Sequence, residues 1–280
     1  MNTLYEIMEK VLPFSWMEYN FMKNALLAVI LITPLFGILG TMIVNNRMAF
    51  FSDALGHSAL TGIALGAVLG IADTDISMII YAIIFAVLLN YIKRKKTLST
   101  DTLISVFSSF SMAIGLVFLS KGGNFSKYSS LLLGDILSIS SQEIRLLGIV
   151  FILTLLYWFF FFNKLNSVAL NTSLARSKSI KADLVEASFC ILIAVIVMLS
   201  IKWVGILIIN ALLTLPAAAS RNISSNMREY HLFSVLVSVF SGITGLILSF
   251  YLGTATGPTV VIIAALMFFI TMIFGNIKNR

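Results

Sequence analysis

Long apolar runs dominate this sequence of 280 residues. A helix that crosses a membrane needs roughly 20 mostly apolar residues. The segments that approach this length are 24–44, 49–71, 76–92, 102–119, 144–162, 184–201, 203–220, 232–251 and 258–275. Hydrophobic residues make up 59% of the chain and charged residues 11%, whereas soluble domains carry about 25% charged residues. The sequence therefore predicts an all-α, polytopic transmembrane helical bundle with nine spans, or eight if segments 184–201 and 203–220 do not both cross.

Basic residues in the connections predict how the chain is oriented. Cytoplasmic loops of membrane proteins carry an excess of Lys and Arg. Such residues follow the third, fifth and seventh segments, at 93–96, at 164–181 and at 221–228, and they also close the chain. With nine spans, this pattern places the N-terminus outside and the C-terminus in the cytoplasm. Because the positive charges are scattered between apolar runs, the net charge of +7 does not indicate a nucleic-acid partner.

One transmembrane domain, residues 1–280, accounts for the whole chain. Residues 1–23 are expected to form an interfacial N-terminal segment, with Tyr5, Trp16 and Tyr19 at the membrane surface. The first ten residues lack the basic region of a cleavable signal peptide.

Two connections are long enough to hold structure of their own. Residues 163–183 are polar and predicted to be cytoplasmic, with a short surface helix from Val168 to Lys178. The apolar stretch 131–137 is too short to span a membrane, and it predicts a short external or re-entrant helix.

The second segment holds two ionisable residues, Asp53 and His57. Such groups are costly inside a bilayer and usually face a cavity or a partner. Residues four apart share a helical face, so both side chains can reach one cation, and Thr61 continues the line by one turn. Carboxylate oxygen and imidazole nitrogen suit Zn(II) or Mn(II). The alternative is a structural Asp–His hydrogen bond near a helix start, with Ser52 and Asp53 as capping residues.

The same segment carries a stripe of small residues, spaced by four positions, that predicts close helix packing in lipid. Its members are Ala54, Ser58, Gly62, Gly66 and Gly70. In the seventh segment, Asn210 predicts a hydrogen bond between helices.

Several catalytic motifs are absent from the sequence. Without Gly-x-x-x-x-Gly-Lys-[Ser/Thr], the chain has no P-loop for hydrolysing a nucleotide. A pump built on it must take energy from a partner or from an ion gradient. Two further functions stay open: a proton-coupled secondary metal transporter with Asp53 and His57 as a relay, and an intramembrane enzyme that uses them as acid and base.

The motif of the second segment carries a family resemblance. Residues 51–66 follow an Asp-x-x-x-His-x-x-x-x-Gly pattern, and matches continue at 101–104, 133–137, 204–218 and 257–259. In this order and spacing, residues 20–275 resemble the membrane permease subunits of bacterial ABC importers for zinc, manganese and iron. The resemblance implies a type II-like importer permease, multi-pass in the bacterial cytoplasmic (inner) membrane.

The resemblance also implies partners and site residues. Two permease copies, expected as a homodimer, form the pathway, a metal-binding lipoprotein or periplasmic protein delivers the ion, and separate ATPase subunits dock underneath. Asp53 and His57 contact the transported metal, and no permanent cofactor is expected. The stretch at 134–137 and the lack of a proline before Gly62 favour zinc slightly over manganese. The residues that match the family's ATPase-docking helix are Ala169, Leu170, Leu174, Ala175, Arg176 and Lys178, although relatives usually end this helix as Ala-x-x-x-Gly.

Overall fold

A computed structural model describes residues 5, 6, 8, 14–71, 73–93, 100–121 and 134–278. In these ranges the regular structure is entirely helical. The α-helices are α1 (Asn20–Asn45), α2 (Ala49–Leu69), α3 (Thr74–Lys93), α4 (Thr100–Lys121), α5 (Ser141–Leu170), α6 (Thr172–Ser177), α7 (Ala182–Val204), α8 (Ile206–Ile223), α9 (Met227–Leu252) and α10 (Thr256–Lys278). The all-α prediction is confirmed for the described part of the chain.

Each apolar segment of the sequence coincides with one long helix, but fewer helices than expected meet the requirements for a membrane span. By length and apolarity, 7 of the described helices qualify: α1, α3, α4 from Thr102, α5, α7, α9 and α10 as far as Gly275. The expected count of eight or nine is not matched. The helices outside this set are the short α6, α2, which contains Asp53 and His57, and α8, which contains Asn210 and Arg221. In α2, the polar side chains of Asp53 and His57 lower the hydropathy on which a span count depends.

The boundary between α7 and α8 lies at Gly205. This residue has φ 92°, a conformation that costs a glycine little. Its N–H donates to the carbonyl of Ile201 and closes the last turn of α7. Lys202 and Trp203 therefore belong to the end of α7, and the sixth and seventh apolar segments form two separate helices.

The chain divides into two compact units. The first comprises Met1–Thr41, Gly134–Leu153 and Ala211–Arg280, and the second comprises Met42–Leu133 and Thr154–Asn210. In the first unit, α1 and α9 are joined by hydroxyl-to-carbonyl hydrogen bonds of 2.7 Å, from Ser234 to Gly37 and from Ser238 to Thr33. Small residues at these positions permit the close approach.

The N-terminal segment of the first unit differs from its prediction. Ser15–Glu18 forms a 3₁₀ turn, and Trp16 is only 3% exposed because it packs with Met17, Leu26 and Leu246. Trp16 is therefore a core residue and not an interface anchor. Tyr19 remains 49% exposed, and most of residues 1–13 lies outside the described part of the chain.

In the second unit, α2 packs against α3, α4 and α7. Gly62 lies so near α3 that a Cβ there would be 2.9 Å from the Cα of Met78. On another side, a Cβ at Gly56 would be 3.3 Å from the side chain of Ile206. The helix that holds Asp53 and His57 is thus enclosed by its neighbours over much of its length.

The connection 163–183 is not one loop with a single surface helix. The long helix α5 continues to Leu170, and Asn171 then interrupts the predicted Val168–Lys178 helix. Its side-chain oxygen accepts from the N–H groups of Ser173 and Leu174 and caps the short helix α6. The prediction of one helix was wrong because an Asn at this position favours a cap over helix continuation.

The apolar stretch 131–137 forms little helix where it is described. Asp135 accepts a hydrogen bond from the N–H of Leu137 at 3.0 Å, and Ile136–Ser138 makes one 3₁₀ turn. Residues 131–133 lie outside the described part of the chain.

Candidate metal-contacting site

Asp53 and His57 lie side by side on α2, one helical turn apart. The Nε2 atom of His57 is 3.7 Å from the Oδ2 atom of Asp53. The side chains of His57 and Asp53 are 25% and 43% exposed, respectively. The shared face predicted from their spacing is therefore present, and both polar groups reach open space in this chain.

The structure contains neither an Asp53–His57 hydrogen bond nor a side-chain cap at the start of α2, the two structural alternatives for the pair. A separation of 3.7 Å is too long for a hydrogen bond. The residue at the N-cap of α2 is Met48, and no side chain caps the helix. The Nδ1 atom of His57 is buried and has no hydrogen-bond partner in the described residues. A ligand can reach the two side chains only through their exposed parts, which are 25% of His57 and 43% of Asp53.

Ser52 and Asn210 connect the start of α2 to the start of α8. The Ser52 hydroxyl donates to Oδ1 of Asn210 at 2.6 Å, and Ser52 is fully buried. The predicted interhelical hydrogen bond of Asn210 is confirmed. Because Ser52 precedes Asp53 directly, this bond holds the backbone beside the carboxylate.

Thr61 does not extend the polar line beyond His57. It is fully buried, and its hydroxyl donates to the main-chain carbonyl of Ser111 on α4. The Ser111 hydroxyl lies 2.9 Å from the hydroxyl of Tyr81 on α3. This cluster was not predicted from the sequence. The feature that could have indicated it is a hydroxyl in each of three neighbouring apolar helices.

The small-residue stripe divides into packing positions and a helix end. Gly62 and Gly66 lie against α3, where a Cβ at Gly66 would be 2.1 Å from the Ser77 hydroxyl oxygen. Ala54 and Ser58 are buried.

Gly70 departs from the packing role that the stripe predicted. It has φ 73° and nothing within 4 Å of a Cβ, and its N–H bonds to the Gly66 carbonyl to end α2. A left-handed residue that closes a helix is the usual place for a C-terminal glycine.

In the described part of the chain, the site consists of two groups, the Asp53 carboxylate and the His57 imidazole. Within the described ranges, no cluster of 3 or more His, Cys, Asp or Glu could hold a metal ion. Tight structural metal sites use four protein ligands. A pair of one carboxylate and one imidazole, partly open, is suited to a cation that is bound briefly and released.

The residues expected to meet an ATPase occupy the end of α5 and the short helix α6. Leu170 and Leu174 are 81% and 55% exposed. Arg176 is bonded to Asp183 at 3.2 Å, and Lys178 ends α6.

Two smaller residues of the expected docking set differ in exposure. Ala169 is half-buried. Ala175 is fully buried, so it anchors α6 and cannot itself touch a partner.

Comparison with known proteins agrees with this architecture. The high-affinity zinc uptake system membrane protein ZnuB of Haemophilus influenzae is 32% identical over 91% of this chain and 97% of that protein. The manganese import system permease protein ScaB of Streptococcus gordonii is 28% identical over 91% of each.

A solved structure has the same fold. PsaBC from Streptococcus pneumoniae, in complex with a Fab, matches with a TM-score of 0.80 and 24% identity, over 97% of this chain and 95% of that chain. Residues 18–275 match the ABC 3 transport family. The chain belongs to this family.

Proposed function

We propose that this chain is the membrane-spanning permease subunit of an ATP-driven importer of divalent metal ions. The observation that carries the proposal is the pair of Asp53 and His57, which lie 3.7 Å apart and are partly exposed on α2, a helix packed against α3, α4 and α7. Relatives named for zinc uptake and manganese import support the choice of cargo. Because the sequence lacks a P-loop, ATP hydrolysis belongs to a separate subunit.

Asp53 and His57 contact the ion during its passage. A carboxylate and an imidazole together accept zinc, manganese or iron. Two ligands bind weakly, and a second copy of the chain supplies the same pair again, which favours a homodimer around the pathway. Zinc is favoured slightly over manganese and iron, in keeping with the resemblance at residues 134–137.

The ATPase docks at the connection 163–183. This connection lies on the cytoplasmic side of the membrane, as does the C-terminus. The exposed Leu170 and Leu174 provide its apolar contact. Arg176 and Lys178 lie beside them as polar contacts, and the buried Ala175 supports the short helix. A metal-binding lipoprotein or periplasmic protein delivers the ion to the opposite side.

The test is metal uptake by the complex of this chain and its ATPase in proteoliposomes, measured separately with zinc, manganese and iron. Asp53→Ala and His57→Ala are expected to abolish uptake while insertion is retained. Ser58→Ala is the matched control, because Ser58 lies on the same helix and its hydroxyl bonds only to the Leu55 carbonyl. Unchanged uptake in both site variants would refute the role of the pair.

The same preparation separates the proposal from a proton-coupled transporter. ATP-driven import continues when the proton gradient is collapsed and stops when ATP is withheld. The reverse result would assign Asp53 and His57 to a proton relay.

A further inference from the structure

A groove in the second unit lies between the end of α5 and the start of α7. Its volume is about 660 Å³, and its rim carries Lys164, Lys178 and Lys181. Its walls include Phe161, Leu184 and Val185. The groove thus places positive charge directly beside apolar surface.

The positive charge of the rim is not neutralised by neighbouring acids. Asp183 is paired with Arg176 at 3.2 Å, and Glu186 is paired with Lys93 at 3.9 Å. Within the described ranges, no ion pair involves any of the three rim lysines. A cationic ligand is therefore disfavoured, and an anion is attracted.

The apolar walls are provided by two membrane-length helices, the second half of α5 and the first turn of α7. Leu184 is 61% exposed in the first turn of α7, and the ammonium of Lys164 is 5.0 Å from the ring centroid of Phe161. Deeper along the same helices, the hydroxyls of Tyr157 and Ser188 lie 2.9 Å apart. This contact joins α5 to α7 at the groove, because Ser188 also lines it.

We propose that this groove binds the phosphate headgroup of an anionic phospholipid. The lysines contact the phosphate as point charges, while Phe161 and Leu184 contact the start of an acyl chain. Basic pockets between membrane helices on the cytoplasmic side are suited to such headgroups, and this is the side predicted for the connection 163–183. A soluble phosphate would make no apolar contact with the exposed leucine. A purely apolar ligand would leave the three lysines without an anion.

A lipid at this position links the end of α5 to the start of α7 and lies beside the short helix α6. Lipid binding needs neither metal nor ATP, so a negative result leaves the proposed transport function intact. Lys178 is left unchanged in the test because it also belongs to the proposed ATPase contact.

The experiment measures binding of phosphatidylglycerol to the full-length chain in detergent by native mass spectrometry, with phosphatidylcholine as the neutral lipid. The variant is Lys164→Gln/Lys181→Gln, and the matched control is Lys121→Gln/Arg228→Gln, which removes two exposed charges elsewhere. Each lysine is expected to contribute about fivefold to the affinity for phosphatidylglycerol. Loss of two lysines in the groove variant is therefore expected to lower that affinity about 25-fold. The control is expected to bind as the unaltered chain does.

Three results would overturn the proposal. The first is equal phosphatidylglycerol binding by the groove variant and the unaltered chain. The second is glycerol 3-phosphate binding as tightly as the lipid, which would identify a site for a soluble phosphate. The third is loss of ATPase co-purification with lipid binding retained, which would assign the groove to the protein partner.

Discussion

Thr61 on α2 donates a hydrogen bond to the main-chain carbonyl of Ser111 on α4, and both residues are buried. At the same place the backbone of α4 comes close, because a Cβ at Gly115 would be 2.8 Å from the Thr61 nitrogen. The contact lies one helical turn beyond His57. The helix that carries Asp53 and His57 is therefore packed tightly against α4 one turn after the pair.

Replacing Thr61 with valine removes this hydrogen bond and preserves the shape of the side chain. The free energy of unfolding is expected to fall by about 1 kcal/mol, because the buried carbonyl of Ser111 loses a partner. Reversible unfolding in detergent measures the change. The control is Thr244→Val, because the Thr244 hydroxyl bonds only within its own helix. An equal loss in both variants would show that the contact between α2 and α4 contributes nothing specific.

Gly66 leaves less room for a Cβ against α3 than Gly62 does. A Cβ there would lie 2.1 Å from the hydroxyl oxygen of Ser77 and 2.6 Å from its Cβ. Gly66→Ala is therefore expected to lower the free energy of unfolding by about 1–3 kcal/mol through overpacking. Gly148→Ala on α5 is the matched control, since nothing lies within 4 Å of a Cβ there, and it is expected to be neutral or slightly stabilising.

A second substitution separates the clash from other effects of an added methyl group. Ser77→Gly removes both atoms that the alanine meets. Combined with Gly66→Ala, it is expected to recover part of the lost stability. Purely additive losses in the double variant would contradict a direct clash between the two positions.

The positions of the long helices were predictable from the sequence, because a membrane-length apolar run is a strong local signal. The shared face of Asp53 and His57 was equally accessible, since it depends only on a spacing of four residues. The hydrogen-bond partner of Thr61 was not predictable, because Ser111 is 50 positions away and many other hydroxyls along the chain are equally plausible partners. Trp16 was misplaced because an aromatic side chain beside an apolar helix suits both a membrane surface and a protein core.

We expect the ATPase subunit to bind the exposed leucines at the end of α5 and in α6. Leu170→Ser/Leu174→Ser removes most of the apolar surface that they expose, and co-purification of the ATPase subunit is expected to be lost. The matched control is Val68→Ser/Leu69→Ser, which changes side chains that are 60% and 73% exposed at the end of α2. ATPase recovery that is equal in the two variants would place the docking surface elsewhere.

Asp53→Asn tests whether the carboxylate acts on the metal or on the fold. The amide keeps the size of the side chain and removes its charge, so uptake is expected to fall by on the order of tenfold or more, as in other metal sites. Asp53→Glu, which keeps the charge on a longer stem, is expected to retain part of the activity. Because the carboxylate makes no hydrogen bond to His57 at 3.7 Å and is 43% exposed, the melting temperature without metal is expected to stay the same in both variants. A large drop in melting temperature with uptake retained would instead assign Asp53 to stabilising the helix.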